Sequence, residues 1–222
     1  MLNFPRSTYF GRKIPKEKFY ANMEIDTALR QRFIAGIESV VWQNKLSKST
    51  LNVAEGKDVI EIDILEVFLK KQESDNKLLE FMDKNLPHHI VFILRYGENA
   101  QIVVNYKTAS ENGTGGFKIG ATYRTDWMNY GSLSLAVDGL NLDKVYENFI
   151  LQVAGGKLKI ANDSSLGYTI EKSKEREKLE EQIATLEAKI RKEKQFNVQV
   201  KLNNELRKLK ADLLNMRGVN NE

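Results

Sequence analysis

TIEKSKEREKLEEQIATLEAKIRKEKQFNVQVKLNNELRKLKADLLNMR (Thr169–Arg217) contains no Gly or Pro and is dominated by Lys, Glu, Leu, Ala, Gln and Arg, all good helix formers. As one helix it would run about 70 Å at about 1.5 Å per residue, long enough to leave a small domain and touch something else. Leu179, Ile183, Leu186 and Ile190 recur at alternating spacings of four and three, the mark of a coiled-coil or helix-packing seam. Leu202, Leu206, Leu209, Leu213 and Met216 make a second seam of equal quality. At about 100° per residue the second stripe is rotated roughly 130° from the first, so one straight partner cannot cover both. Either the arm bends near Gln195–Asn204, as in a helical hairpin, or its halves dock on different surfaces. The lack of Gly and Pro favours a continuous helix.

Charge divides the arm in the same place. Residues 171–187 carry four basic and six acidic side chains. Residues 189–210 carry eight basic ones, Lys189, Arg191, Lys192, Lys194, Lys201, Arg207, Lys208 and Lys210, against Glu193 and Glu205. That local excess is larger than the formal charge of the whole chain, +4. Lys194, Lys201 and Lys208 fall seven apart, hence on one helix face. Such a stripe suits either the solvated flank of a packed helix facing a protein partner or direct contact with phosphates.

The 222 residues, 41% of them hydrophobic, supply one globular domain over residues 1–160, a linker over 161–168 and the arm over 169–217. Without cysteine there is no disulfide, thiolate chemistry or Cys-based zinc site. The first ten residues lack the apolar run of a signal peptide, and no segment approaches the roughly 18 apolar residues of a membrane span. A cytoplasmic protein with no membrane partner is expected.

Within the globular part, Pro15 opens a short helix after an extended lead-in. Leu29, Phe33, Ile34, Ile37, Val40 and Val41 fall at helical spacing after Asp26, predicting a core helix over 27–41. Leu46–Val53 reads as a connector, and the alternation from Val59 to Leu69 predicts a strand with one buried face. Leu78–Asn85 is a short helix ended by Pro87. His89–Arg95 and Gln101–Tyr106 form a hairpin around Gly97-Glu98-Asn99. Thr108–Gly116 is a loop by composition, Leu133–Val137 a further strand, and Asp143–Gln152 an amphipathic helix closed by Gly155-Gly156. The result is an α+β fold, a mixed or antiparallel sheet with flanking helices and a long C-terminal coiled-coil-like arm.

Several short motifs lie along this frame: Phe4-Pro5 before Ser7-Thr8, Ile14-Pro15-Lys16, Trp42 with Lys45-Leu46, Ser49-Thr50-Leu51-Asn52, Tyr106-Lys107 and Tyr123-Arg124-Thr125 with Trp127. Lys192-Glu193-Lys194-Gln195-Phe196-Asn197 with Leu202-Asn203 closes the set and is the most specific. Together they resemble the bacterial domain of unknown function family numbered 4391, over nearly the whole chain. The family carries no activity to transfer. The resemblance implies a place beside DNA methyltransferases and helicases of restriction or phage-defence loci.

Catalytic candidates are sparse. Glu61 and Asp63 share one face of a predicted strand and a later strand ends Asn105-Tyr106-Lys107, which is the layout of a metal-dependent nuclease with its second acid replaced by an amide. The alternative is the solvent face of a half-buried strand. His88 and His89, adjacent at a strand entry, point opposite ways and make no two-histidine metal face. The run Gly113-Thr114-Gly115-Gly116 lacks the Lys-Ser/Thr of a phosphate loop. Arg124 and Trp127, among Tyr123, Tyr130, Lys107 and Lys118, suit either unpaired nucleic acid or a sheet edge. The expectation is therefore a non-catalytic accessory subunit without cofactor or metal. Its arm residues Leu179, Ile183, Leu186, Ile190, Leu202, Leu206, Leu209 and Leu213 would dock a helicase or methyltransferase, with the basic flank near DNA. A metal-dependent nuclease using Glu61, Asp63 and Lys107, and a homo-oligomer joined through the arm, stand as alternatives.

Overall fold

A computed structural model of the chain describes residues 2, 4–22, 25–109, 117–158 and 165–218. It divides into two units, Met1–Lys157 and Leu158–Glu222. The first holds β1 (Tyr9–Ile14), α1 (Lys16–Asn22), α2 (Thr27–Gly36), β2 (Ile37–Ser47), α3 (Lys48–Leu51), β3 (Glu61–Leu69), α4 (Asn76–Asn85), β4 (His89–Tyr96), β5 (Asn99–Ala109), β6 (Phe117–Arg124), β7 (Met128–Asn129) and α5 (Leu142–Ala154). The strands form one mixed sheet in the order β1-β2-β3-β4-β5-β6, with β7 on the start of β5. Every pairing is antiparallel except β3 with β4, which α4 connects. The fold is α+β.

Alternation explains the layering. Leu65, Val67 and Leu69 of β3, Ile90, Phe92 and Leu94 of β4 and Val103 of β5 turn to one face, where Phe19, Phe33, Leu78, Leu79 and Met82 of α1, α2 and α4 complete the core. The opposite side of β3 and β5 carries α5, whose Val145, Tyr146, Phe149, Ile150 and Val153 are buried. With helices on both faces, β3 and β4 read as near-continuous apolar runs. Asn141 caps α5 through Lys144 N–H, and Gly155 closes it at φ +58.

The β4–β5 hairpin forms as read, with Tyr96 opposite Asn99 and Gly97 at φ +56 supplying the positive-φ turn position. The helix expected over 27–41 stops at Gly36, and Ile37, Val40, Val41 and Trp42 enter β2 instead. A β-branched run that can pair on both sides gains more as strand than as helix. The expected connector likewise holds the end of β2 and the four-residue α3. Leu133–Val137 is no strand: Leu133 and Leu135 are buried, but Ala136 is held by the side chain of Gln152 on α5 rather than by a ladder. Most of the loop read at Thr108–Gly116 and the first half of the linker expected over 161–168 lie outside the described residues, while Ser165 caps α6 and residues 166–168 open it.

The second unit is a helical hairpin. α6 (Leu166–Lys192) and α7 (Phe196–Gly218) pack together across the short turn Glu193–Gln195. The continuous helix expected there is therefore broken, without any Gly or Pro. Glu193 makes the turn: its backbone is extended at φ −74 and ψ 132, and its Oε1 accepts the N–H groups of Lys194 and Gln195, both at 2.8 Å. Gln199 Nε2 donates back to the Glu193 carbonyl at 2.7 Å. The rotation between the two seams is thus what a fold-back needs, since each stripe turns to the other helix.

Candidate functional site

On the globular unit the structure brings the catalytic candidates to one end of one sheet face. Glu61 and Asp63 stand two apart at the start of β3, and Asn105 and Lys107 two apart near the end of β5. All four are buried, together with Asp83 near the end of α4. Lys107 does not turn to the β3 carboxylates. Its ammonium donates to Asp83 Oδ1 at 2.7 Å, to the Asp83 carbonyl at 3.0 Å and to the His88 carbonyl at 2.5 Å. All three of its protons are spent, and both side chains of the pair are 0% exposed. Phe117 lies against the same ammonium, 4.1 Å from its ring centre.

Asn105 completes this network. Its Nδ2 donates to Asp83 Oδ2 at 2.7 Å, and its Oδ1 accepts from Thr122 Oγ1 at 2.7 Å. An amide is needed because the position must give one hydrogen bond and take another; a carboxylate here would face Asp83 with like charge. Tyr146 of α5 donates its hydroxyl to the Asn105 carbonyl from the other side of the sheet. Burial pushes the Asp83 carboxyl up, against the pull of Lys107, and burial pushes the Lys107 ammonium down, against Asp83.

The second carboxylate group has a different character. Glu61 Oε2 pairs with Lys45 at 2.6 Å, and His88 Nε2 lies 3.6 Å from Glu61 Oε1. Burial, and then the neighbouring Glu61, push the Asp63 carboxyl up to about 8, so Asp63 keeps its proton at neutral pH. Glu61 Oε1 and Asp63 Oδ1 are buried without a hydrogen-bond partner among the described residues. Burial lowers His88, against Glu61, while His89 points the other way between the rings of Phe117 and Tyr146 and is pushed down to about 3 by burial.

The chemistry follows from the donors. A nuclease lysine must be free to orient water, whereas Lys107 fastens α4 to the β4–β5 hairpin. Among the described residues no group of three or more His, Asp and Glu side chains could hold a metal ion. A surface groove of about 220 Å³ lies elsewhere, lined in part by Phe4, Arg6, Tyr9, Gln43 and Tyr130. The cluster as built is a structural fastening with a buried, protonated Asp63 beside it. Asp83, Lys45 and Tyr146 went unread as its members. Asp83 carried a signal: it stands four residues after Leu79, on the apolar stripe of α4, where a charge requires a buried partner.

Arg124 and Trp127 are taken up by the fold. Arg124 donates to Ser74 Oγ at 3.2 Å and Asn76 Oδ1 at 2.6 Å at the head of α4, and Trp127 packs half-buried on the core. Tyr130 lies under Arg95, whose guanidinium is 3.5 Å from the ring centre and pairs with Glu66 at 2.6 Å. These contacts fit the sheet-edge reading of this patch.

On the hairpin, Ile183 and Leu186 are buried, while Leu179, Ile190, Leu202, Leu206, Leu209, Leu213 and Met216 are half-buried. The residues expected to dock a partner thus form the seam between α6 and α7, and Lys210 bridges to Glu187 across it at 2.7 Å. All eight basic residues from Lys189 to Lys210 are exposed, and Lys210 alone among them is held in an ion pair among the described residues. Lys189, Arg191 and Lys192 form the last turn of α6, where cations also suit the helix dipole, and Lys194 follows in the turn. Lys194 therefore sits in the turn before α7, while Lys201 and Lys208 share one face of that helix.

A family model described as Domain of unknown function (DUF4391) matches residues 2–213. No curated protein and no solved structure matches the chain.

Proposed function

We propose a role for this chain, which belongs to the Domain of unknown function (DUF4391) family, as a non-catalytic accessory subunit whose helical hairpin lies on DNA. The observation that carries this is the run of exposed cations from Lys189 to Lys208, without an ion pair among the described residues, on a hairpin whose two leucine and isoleucine stripes turn to each other. Cations without carboxylate partners favour a polyanion, because neutralising phosphates releases condensed counterions. The setting in a restriction or phage-defence assembly, beside a helicase or methyltransferase, rests on the family resemblance. The spent Lys107 and the absence of a metal-holding group among the described residues favour an accessory role over nuclease chemistry.

Fluorescence anisotropy with labelled oligonucleotides of unrelated sequence tests the reading. Binding should weaken steeply with salt, log K falling against log salt with a slope of about −0.9 per duplex phosphate neutralised. Replacing Lys194, Lys201 and Lys208 by Glu should weaken it to a similar extent on every sequence. Binding that ignores salt, or a triple variant that binds like the parent, overturns it.

A further inference from the structure

The hairpin ends in an aromatic ring. Phe196, the first residue of α7, is 75% exposed and makes no ring contact among the described residues. It directly follows the turn whose flanks carry Lys189, Arg191, Lys192 and Lys194 against the single carboxylate of Glu193. That carboxylate is engaged with two backbone N–H groups, and Gln199 ties the other side of the turn, so the ring leaves from a backbone held by side chains rather than by a loose loop. A large exposed phenyl at the summit of a cationic tip is not explained by the seam, from whose centre Phe196 stands roughly 120° round α7.

From this juxtaposition we infer that the tip is a contact for unpaired nucleic acid, with Phe196 stacking on an exposed base while Lys192 and Lys194 hold the adjoining phosphates. This rests on the nucleic-acid reading of the hairpin and adds which form it prefers. A duplex keeps the faces of its bases inside the stack, and only single strands, frayed ends and forks offer a face to a protein ring. Lysines alone make no such distinction, since they meet phosphates in either form. The exposed apolar surface at the tip is one ring, with Val200 a turn further on, rather than a broad face. Charge around a single ring fits a base flanked by phosphates better than it fits a protein groove.

The test uses the full chain with a labelled single strand and a blunt duplex of the same length. Phe196→Ala and Phe196→Leu should each weaken single-strand binding about 5- to 150-fold and leave duplex binding within about twofold, because leucine keeps apolar bulk but offers no ring to stack. Phe196→Trp should retain binding, with its indole emission quenched by the single strand beyond any change in the parent, which has Trp42 and Trp127. Lys192→Glu with Lys194→Glu should weaken both forms. If Phe196→Leu binds like the parent, or both forms lose equally in Phe196→Ala, the ring is not a base-stacking group and the inference falls while the DNA-binding reading stands. If neither oligonucleotide binds the parent, both fall together. Phe196-dependent binding to phosphatidylserine vesicles, with no effect on oligonucleotides, also overturns it in favour of a membrane surface.

Discussion

Replacing Lys107 by Met keeps most of the length of the side chain and removes its three hydrogen bonds. Asp83 Oδ1 and the carbonyls of Asp83 and His88 then lose their donor, and only Asn105 remains on the carboxylate. At 2.7 Å the ion pair is worth about 6 kcal/mol of attraction at an effective dielectric of about 20, most of it offset by the cost of burying both charges. Breaking one side alone leaves the other charge stranded, so Lys107→Met should cost about 3–5 kcal/mol. The measurement is urea unfolding followed by circular dichroism. Asp83→Leu combined with Lys107→Met should cost less than the two single changes added together, by about 2–3 kcal/mol, since no charge is stranded in the double variant. In Lys107→Met the Asp83 carboxyl, raised by burial and no longer opposed, binds a proton that the unfolded chain has released. That variant should therefore regain stability as pH falls toward 5, by at most about 1.4 kcal/mol per pH unit. Additive single losses, or a Lys107→Met cost under about 1 kcal/mol, would show that the pair does not fasten α4 to the sheet.

Asp63 gives a pH test of the same sign on the parent chain. Its carboxyl, pushed up to about 8 by burial and then by Glu61, contributes stability that is fully present below the ordinary carboxylate range and lost as pH rises through about 8. Asp63→Asn should flatten the fall in urea midpoint from about pH 5 to 8, and an unchanged slope would refute the raised Asp63 carboxyl. Gly56→Ala would place a Cβ 2.7 Å from the Asp143 backbone nitrogen and 2.0 Å from its Oδ1, displacing a carboxylate that accepts N–H groups from Lys57, Asp58 and Val59. A loss of about 1–3 kcal/mol in the same urea assay is expected, and an unchanged midpoint would show that the loop yields freely. Although burial pushes it up, the Lys57, Val59 and Asp58 N–H groups hold the Asp143 carboxyl below its usual value, so its contribution is present above that value and lost as pH falls. Ile183→Asp should remove amide-exchange protection from α7 while β3 and β4 stay protected. Loss in the strands instead would mean that the hairpin does not close on this seam.

Periodicity served best where one period ran alone. The β4–β5 hairpin, α4 and α5 were legible because apolar spacing and turn residues agreed; β3 was legible as a strand, but the alternation pointed to one buried face where both are buried. Residues 27–41 misled because Leu29, Phe33, Ile37 and Val40 satisfy a helical spacing while Ile37, Val40 and Val41 are better strand formers, and sheet pairing decided between them. The fold-back at Glu193 was foreshadowed by the rotated seams but carried no Gly or Pro, because side chains rather than a backbone breaker make the turn. On the globular unit Glu61, Asp63, Asn105 and Lys107 were rightly placed on strands. Their partner Asp83 was missed, and Lys107 alone could not reveal which carboxylate it served.

The turn Glu193–Gln195 also bears on how copies of this chain meet. A hinge that opens without becoming one straight helix would let α7 lie along the α6 of a second copy with the same leucines and isoleucines covered, whereas a fully straight arm would not, its two stripes standing roughly 130° apart. Such an exchange would sacrifice only the hinge's own hydrogen bonds, those of Glu193 and Gln199. Protein concentration, rather than any new contact, would then set how much of the chain exists as swapped pairs.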